Sequence, residues 1–200
     1  RDNAEIHAFL QNREHGGKNL RAYRHFTDRK TLYGVPVPIS VGRQWHLVQR
    51  EGNNILYIYK IEAKVGTIRM VSHVGMVHPM YCSGVGKAIM ATLPEKEVKQ
   101  IWNESIIEKK TDKTITDIDE MMQVLEEVRK NGYALDDEEN EEGVRCIAAC
   151  LHGYSKEVKY AFSISGPVSR MTRERVEELA VDVKKVQEEL SRELGYYPQN

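Results

Sequence analysis

The stretch GYALDDEENEEGVRCIAACLHGYSKEVKYAFSISGP, Gly132–Pro167, decides how the rest of the chain is read. It holds three short strand-like runs. Tyr133–Leu135 leads into an acidic turn, Asp136–Glu142; Gly143 opens Val144–Leu151; a polar turn, His152–Glu157, precedes Val158–Ser165. Side chains alternate between faces along a strand. The last run therefore sets Val158, Tyr160, Phe162 and Ile164 on one face, and Ala161, Ser163 and Ser165 on the other. Small residues leave room and hydroxyls supply donors and acceptors, as a buried site for a small polar molecule requires. A serine-rich strand facing solvent has the same spacing, so the residues alone leave both readings open.

On the C-terminal side, Arg170–Leu194 carries Val176, Leu179, Val183, Val186 and Leu190 on one helical stripe, and Gly195 ends it. Such a helix covers one face of a sheet. On the N-terminal side, Asp117–Asn131 repeats Ile118, Met121, Met122, Leu125 and Val128 at three- and four-residue steps, with Asn131-Gly132 as the stop. Its methionines read as core filler. Pro94–Trp102 starts a shorter helix at a proline. Further back, Gln44–Lys60 reads as a hairpin turning at Glu51-Gly52-Asn53-Asn54, and Thr67–Ser72 as a further strand.

Ser83 is a plausible N-cap for a helix running to Leu93-Pro94, and Gly84 and Gly86 open it. Amides around Ser83–Gly86 would lie bare, which favours an anion. Lys87 is followed by Ala88, so this is no nucleotide-binding P-loop. Small residues that let a helix pack close to a sheet explain the glycines equally well.

Arg1–Ser40 is the least legible part. Ala4, Ile6, Phe9 and Leu10 fit a short amphipathic helix ended by Gly16-Gly17, and Leu20–Leu32 a second, basic one. Pro36 and Pro38 then force extended or turning chain. The basic run Arg21–Lys30 reads as a solvated face rather than a nucleic-acid contact. His7, His15 and His25 lack metal-ligand spacing.

Two hundred residues suit one domain with a sizeable core plus a segment belonging elsewhere. A net charge of −1 gives no global basic field for holding nucleic acid. No apolar run approaches membrane-spanning length, and no signal peptide is evident. The chain opens on Arg1 rather than Met, so a fragment of a longer protein is expected. Three cysteines without framework spacing point to a reducing compartment, and the cytoplasm is the expected location.

Asp136-Asp137-Glu138-Glu139, Gly143-Val144-Arg145-Cys146-Ile147-Ala148 and Ser163-Ile164-Ser165-Gly166, preceded by Pro79-Met80-Tyr81-Cys82-Ser83-Gly84-Val85-Gly86-Lys87-Ala88, occur in a distinctive order and spacing. From about Gln44 to Tyr197 the chain resembles the effector-binding domain of IclR-type bacterial transcriptional regulators, and within them the sugar-acid type that answers to keto-deoxygluconate. The resemblance implies an α+β fold: a curved, mostly antiparallel sheet of about six strands flanked by helices on both sides, GAF- or profilin-like. It implies an uncertain segment over 1–40 and the effector domain over 41–197. The family would place within Arg1–Ser40 a helix linking the DNA-binding module to the effector domain, and the two prolines depart from that pattern.

The resemblance also implies a function. A separate winged helix-turn-helix, not present in this chain, would read operator DNA, while this domain senses a small carboxylate, a sugar acid or short oxoacid, as a homodimer or homotetramer. Carried over block by block, Gly84 and Val85 give backbone donors, Asp136 and Cys146 stand on the pocket wall, Ser163 and Ser165 bond the ligand, and Tyr81 and Met80 close its mouth. Asp136 beside an anion needs compensation, expected from a ligand hydroxyl or a backbone N–H. Glu138–Glu142 read as a solvated turn. Neither membrane nor cofactor is expected. A cysteine nucleophile at Cys146 lacks a certifiable histidine partner. Zinc on Cys146, Cys150 and His152 fails on strand geometry, because only the last two are near enough to converge. An enzyme on the same scaffold and a pure oligomerisation module are the rival functions.

Overall fold

The computed structural model describes residues 44–62, 70–154 and 157–197. The readings for Arg1–Ser40 and for Thr67–Arg69 lie outside them. Among the described residues, ten elements follow in order: β1 (Gln44–Glu51), β2 (Asn54–Ile61), β3 (Val77–Pro79), α1 (Gly84–Met90), α2 (Glu95–Glu104), α3 (Ile118–Asn131), β4 (Ala134–Asp137), β5 (Val144–Leu151), β6 (Tyr160–Pro167) and α4 (Arg173–Glu193). The strands form one sheet in the order β3-β2-β1-β6-β5-β4, with every pairing antiparallel. This is the expected α+β architecture with helices on both faces.

Period-two alternation builds two cores from one sheet. Trp45, Leu47, Ile147, Ala149, Leu151, Phe162 and Ile164 point to the face covered by α4, where Val176, Leu179, Val183, Val186 and Leu190 meet them. Trp45 stacks on Phe162 with ring centroids 5.7 Å apart. Each such aliphatic side chain contributes roughly 1.5–3 kcal/mol on burial, so this stripe is what docks α4. Val48, Ala148, Cys150 and Ala161 point to the opposite face, where α1, α2 and α3 pack. Caps set the helix starts: the side chains of Ser83, Asp117 and Thr172 accept from the backbone N–H of Gly86, Glu120 and Arg175.

Three expectations need correction. Val158 lies ahead of β6 and packs in the core on the Ala161 face, not with Phe162 and Ile164. Met70–Ser72 are not strand; the edge beside β2 is β3, which pairs Asn54 with Pro79, Ile55 with His78 and Leu56 with Val77. Proline cannot donate to a ladder and is confined to sheet edges, which hid β3 from a propensity reading. The acidic turn also begins later than expected. Asp136 and Asp137 are strand residues in register with Cys146 and Arg145.

Candidate functional site

Sheet register assembles the site. One row across the face that packs on α1 runs Asp136, Cys146, Ser165; the next runs Ala148, Ser163, His46, Lys60. Directly opposed residues on neighbouring strands lie within side-chain reach of one another. The two rows thus gather a carboxyl, a thiol, two hydroxyls and an imidazole in one place. The first turn of α1 comes down onto them. Gly84 is required by that approach, because a Cβ there would lie 2.8 Å from Cys146 Sγ and 3.3 Å from Ala148 Cβ. Gly86 is tighter still, its Cβ falling 2.2 Å from the Met80 carbonyl oxygen.

Between these surfaces lies a cavity of about 40 Å3, lined among others by His46, Tyr57, Ser83, Gly84, Val85, Asp136, Asn140, Cys146, Ser163 and Ser165. A single water needs about 10–15 Å3 by the same measure, so the space suits a molecule of only a few heavy atoms. At its α1 wall, Ser83 Oγ accepts from Gly86 N and Ser83 O accepts from Lys87 N. The Gly84 and Val85 amides precede those bonds and have no acceptor within the helix, although the Gly84 N–H is directed at the Cys146 sulfur.

Burial decides the charge state of this wall. His46 is lowered to about 3, first by burial and then by the Lys60 charge, so it is neutral at pH 7. Its Nε2 lies 3.0 Å from Ser72 Oγ and its Nδ1 3.4 Å from both Ser163 Oγ and Ser165 Oγ. Asp136 is raised to about 7, first by burial and then by the Glu139 carboxylate, against the pull of Lys87. Oδ1 of Asp136 accepts from Glu139 N at 2.9 Å and Asn140 N at 3.4 Å, the backbone compensation expected of it. Burial pushes the Tyr57 phenol and the Cys146 thiol well above their usual ranges. The imidazole, phenol and thiol of the lining are thus neutral at pH 7, Asp136 titrates near that pH, and Cys146 is an inert thiol rather than a nucleophile.

Six of the eight residues singled out in the sequence line this cavity: Gly84, Val85, Asp136, Cys146, Ser163 and Ser165. Met80 and Tyr81 do not close its mouth. Met80 is fully buried in the core beneath α1. The Tyr81 hydroxyl is turned towards the α2–α3 connection, donating to Glu108 O and accepting from Glu108 N, both at 2.9 Å. Nor are all of Glu138–Glu142 a solvated turn. Glu139 is 7% exposed and ion-paired with the buried ammonium of Lys87, while Asn140 and Glu141 reach the cavity. His46, Tyr57 and Ser72 were not anticipated. The β1–β6 pairing brings in His46, the β1–β2 pairing brings in Tyr57, and Ser72 comes from the β2–β3 connection; no local signal announces any of them.

Among the described residues no three His, Cys, Asp or Glu side chains are placed to hold a metal, and no helix is long and apolar enough to cross a membrane. A more open cleft of about 710 Å3 runs between α3 and β4. Some of its charges pair with one another, as Lys87–Glu139 and Lys130–Glu127, while one buried carboxylate oxygen of Glu139 has no hydrogen-bond partner.

Residues 36–192 match the family described as "Bacterial transcriptional regulator IclR C-terminal". The chain belongs to the IclR family of bacterial transcriptional regulators. It is 35% identical over 152 residues to the HTH-type transcriptional regulator KdgR of Escherichia coli, spanning 76% of this chain and 57% of KdgR. It is 37% identical over 188 residues to the acetate operon repressor of Salmonella typhimurium, spanning 94% of this chain and 65% of that protein. The crystal structure of the Thermotoga maritima IclR superposes with a TM-score of 0.80 at 34% identity, covering 96% of this chain and 74% of that one. The chain therefore spans about three fifths of the curated IclR relatives it matches, 57% and 60% for two of them. These relatives are transcriptional regulators rather than enzymes. The described fold is that of the IclR effector-binding domain.

Proposed function

We propose that residues 41–197 form the sensing unit of a cytoplasmic regulator, and that its effector is a short carboxylate held in the cavity beneath α1. One observation carries the reading: Ser163, Ser165 and neutral His46 converge with the Gly84 and Val85 amides on a single polar space of about 40 Å3. Hydrogen bonds to a charged group are worth roughly 1.5–3 kcal/mol each, more than those to a neutral one, so a cluster of neutral donors favours an anion. The volume favours an oxo- or hydroxyacid of roughly two to four carbons over a six-carbon sugar acid.

In the whole protein, a winged helix-turn-helix outside this chain would contact operator DNA. A homodimer or homotetramer of this domain would set the spacing of two such modules. The effector acts only through different affinities for two oligomer geometries, because equal affinity shifts nothing. Thermal unfolding in the presence of pyruvate, glyoxylate, lactate and D-gluconate, with methyl pyruvate as the uncharged control, tests the reading. The short acids are expected to raise Tm and the ester to leave it unchanged. Equal shifts with acid and ester, or none with any acid, contradict it.

A further inference from the structure

Within the carboxylate reading, His46 meets the site through the serines. His46 is 4% exposed, sits on β1 opposite Ser163, and its ring meets Tyr57 edge-on at 5.5 Å and 82°. Its two nitrogens face different partners. Nε2 faces a single hydroxyl, Ser72 Oγ at 3.0 Å, while Nδ1 stands 3.4 Å from both Ser163 Oγ and Ser165 Oγ. The Ser72 end is pinned as well, because Lys60 Nζ donates to the Ser72 carbonyl at 2.6 Å.

A neutral imidazole carries one N–H and one lone pair, and a serine hydroxyl carries one proton. Two arrangements exist. With the proton on Nε2, the ring donates to Ser72, and Nδ1 accepts a hydrogen bond from one serine hydroxyl, so that hydroxyl is spent. With the proton on Nδ1, Ser72 donates to Nε2 and the Nδ1–H is shared between the serine oxygens, leaving both serine protons free to point into the cavity. The first arrangement offers a ligand one O–H donor; the second offers two. A carboxylate accepts at both oxygens and donates nothing, so it selects the second.

We propose that His46 is a positioning residue for effector recognition: held as the Nδ1–H tautomer, it turns the Ser163 and Ser165 hydroxyls towards the ligand as a pair of donors. The ring's neutrality, kept by burial, is what allows it to accept from Ser72 while donating to the serines. The same relay discriminates against a neutral donor ligand such as a carboxamide or alcohol. Such a ligand is matched by the other tautomer and gains only one serine proton.

The test uses this chain labelled with 15N-histidine, with pyruvate as the probe. Long-range proton–nitrogen correlation spectra read which ring nitrogen of His46 is protonated, and calorimetry reads affinity. Bound protein is expected to show a protonated Nδ1 and a bare Nε2. His46→Asn, whose amide nitrogen falls near the Nδ1 position, is expected to stay within a few-fold of wild type, whereas His46→Leu loses about tenfold to hundredfold. Ser72→Ala is the gentler variant should His46→Leu fail to fold, and it is expected to lose affinity because Nε2 loses its donor. A protonated Nε2 in the complex, or equal affinities for the Asn and Leu variants, overturns the assignment while leaving the sensor reading intact. Wild-type protein that binds neither pyruvate nor D-gluconate overturns both.

Discussion

Replacing Asp136 with Asn is expected to change how stability depends on pH, with a sign set by the burial of its carboxyl. The group moves from 3.8 unfolded to about 7 folded, chiefly through burial and then through Glu139, a difference of roughly 3 units (7 minus 3.8). Each unit is worth 1.36 kcal/mol. Between those values the folded state keeps a proton that the unfolded chain has released, so stability falls as pH rises through the window. The full penalty, about 4 kcal/mol, is present above pH 7 and absent below pH 4. His46 works in the opposite sense. Its folded value of about 3 lies below the ordinary 6.5, so its contribution is present above pH 6.5 and is lost as pH falls towards 3. The two partly cancel in the wild type, and the difference between wild type and variant isolates Asp136. Urea unfolding at pH 5, 6, 7 and 8 is expected to show Asp136→Asn gaining on wild type by roughly 2–3 kcal/mol between pH 5 and 8. Parallel profiles, whatever their offset, would refute the idea that this carboxyl is held in reserve by burial.

Other consequences follow from packing. Lys87→Met or Glu139→Gln leaves one partner of a buried ion pair uncompensated and is expected to cost roughly 3–5 kcal/mol in chemical unfolding. Changing both to Met and Leu together is expected to cost less than either alone. Gly86→Ala, whose Cβ would strike the Met80 backbone at 2.2 Å, is expected to destabilise more than Gly84→Ala, whose Cβ meets the movable Cys146 side chain at 2.8 Å. Melting curves showing the reverse order contradict the close approach of α1.

Much of this was legible in local pattern. The alternation of Ala161, Ser163 and Ser165 against Phe162 and Ile164 places the hydroxyls opposite the core that α4 covers, and the β6 register shows it. The helix α4 and its stripe follow from a 3.6-residue period that nothing interrupts. What stayed hidden depends on pairing between distant segments. His46 joins the site because β1 lies beside β6, a contact separated by 117 residues along the chain and unmarked by any motif. Glu139 looks like one more solvated acid in an acidic run. Its neighbours Asp137 and Glu138 do lie by the exposed Lys113, but Glu139 turns inward to Lys87 on another element. Met80 and Tyr81 adjoin the α1 cap in sequence, and adjacency misled. The chain enters α1 from beneath, so Met80 is buried under the helix and Tyr81 anchors the Glu108 backbone.

Calorimetric titration of pyruvate into wild type and into the Ser163→Ala/Ser165→Ala variant tests the cavity most directly. Wild type should bind, and the variant should bind more weakly by about 1–3 kcal/mol while melting within a few degrees of it. Undiminished affinity in the variant would mean that these hydroxyls hold no carboxylate and that the cavity beneath α1 is not the sensor.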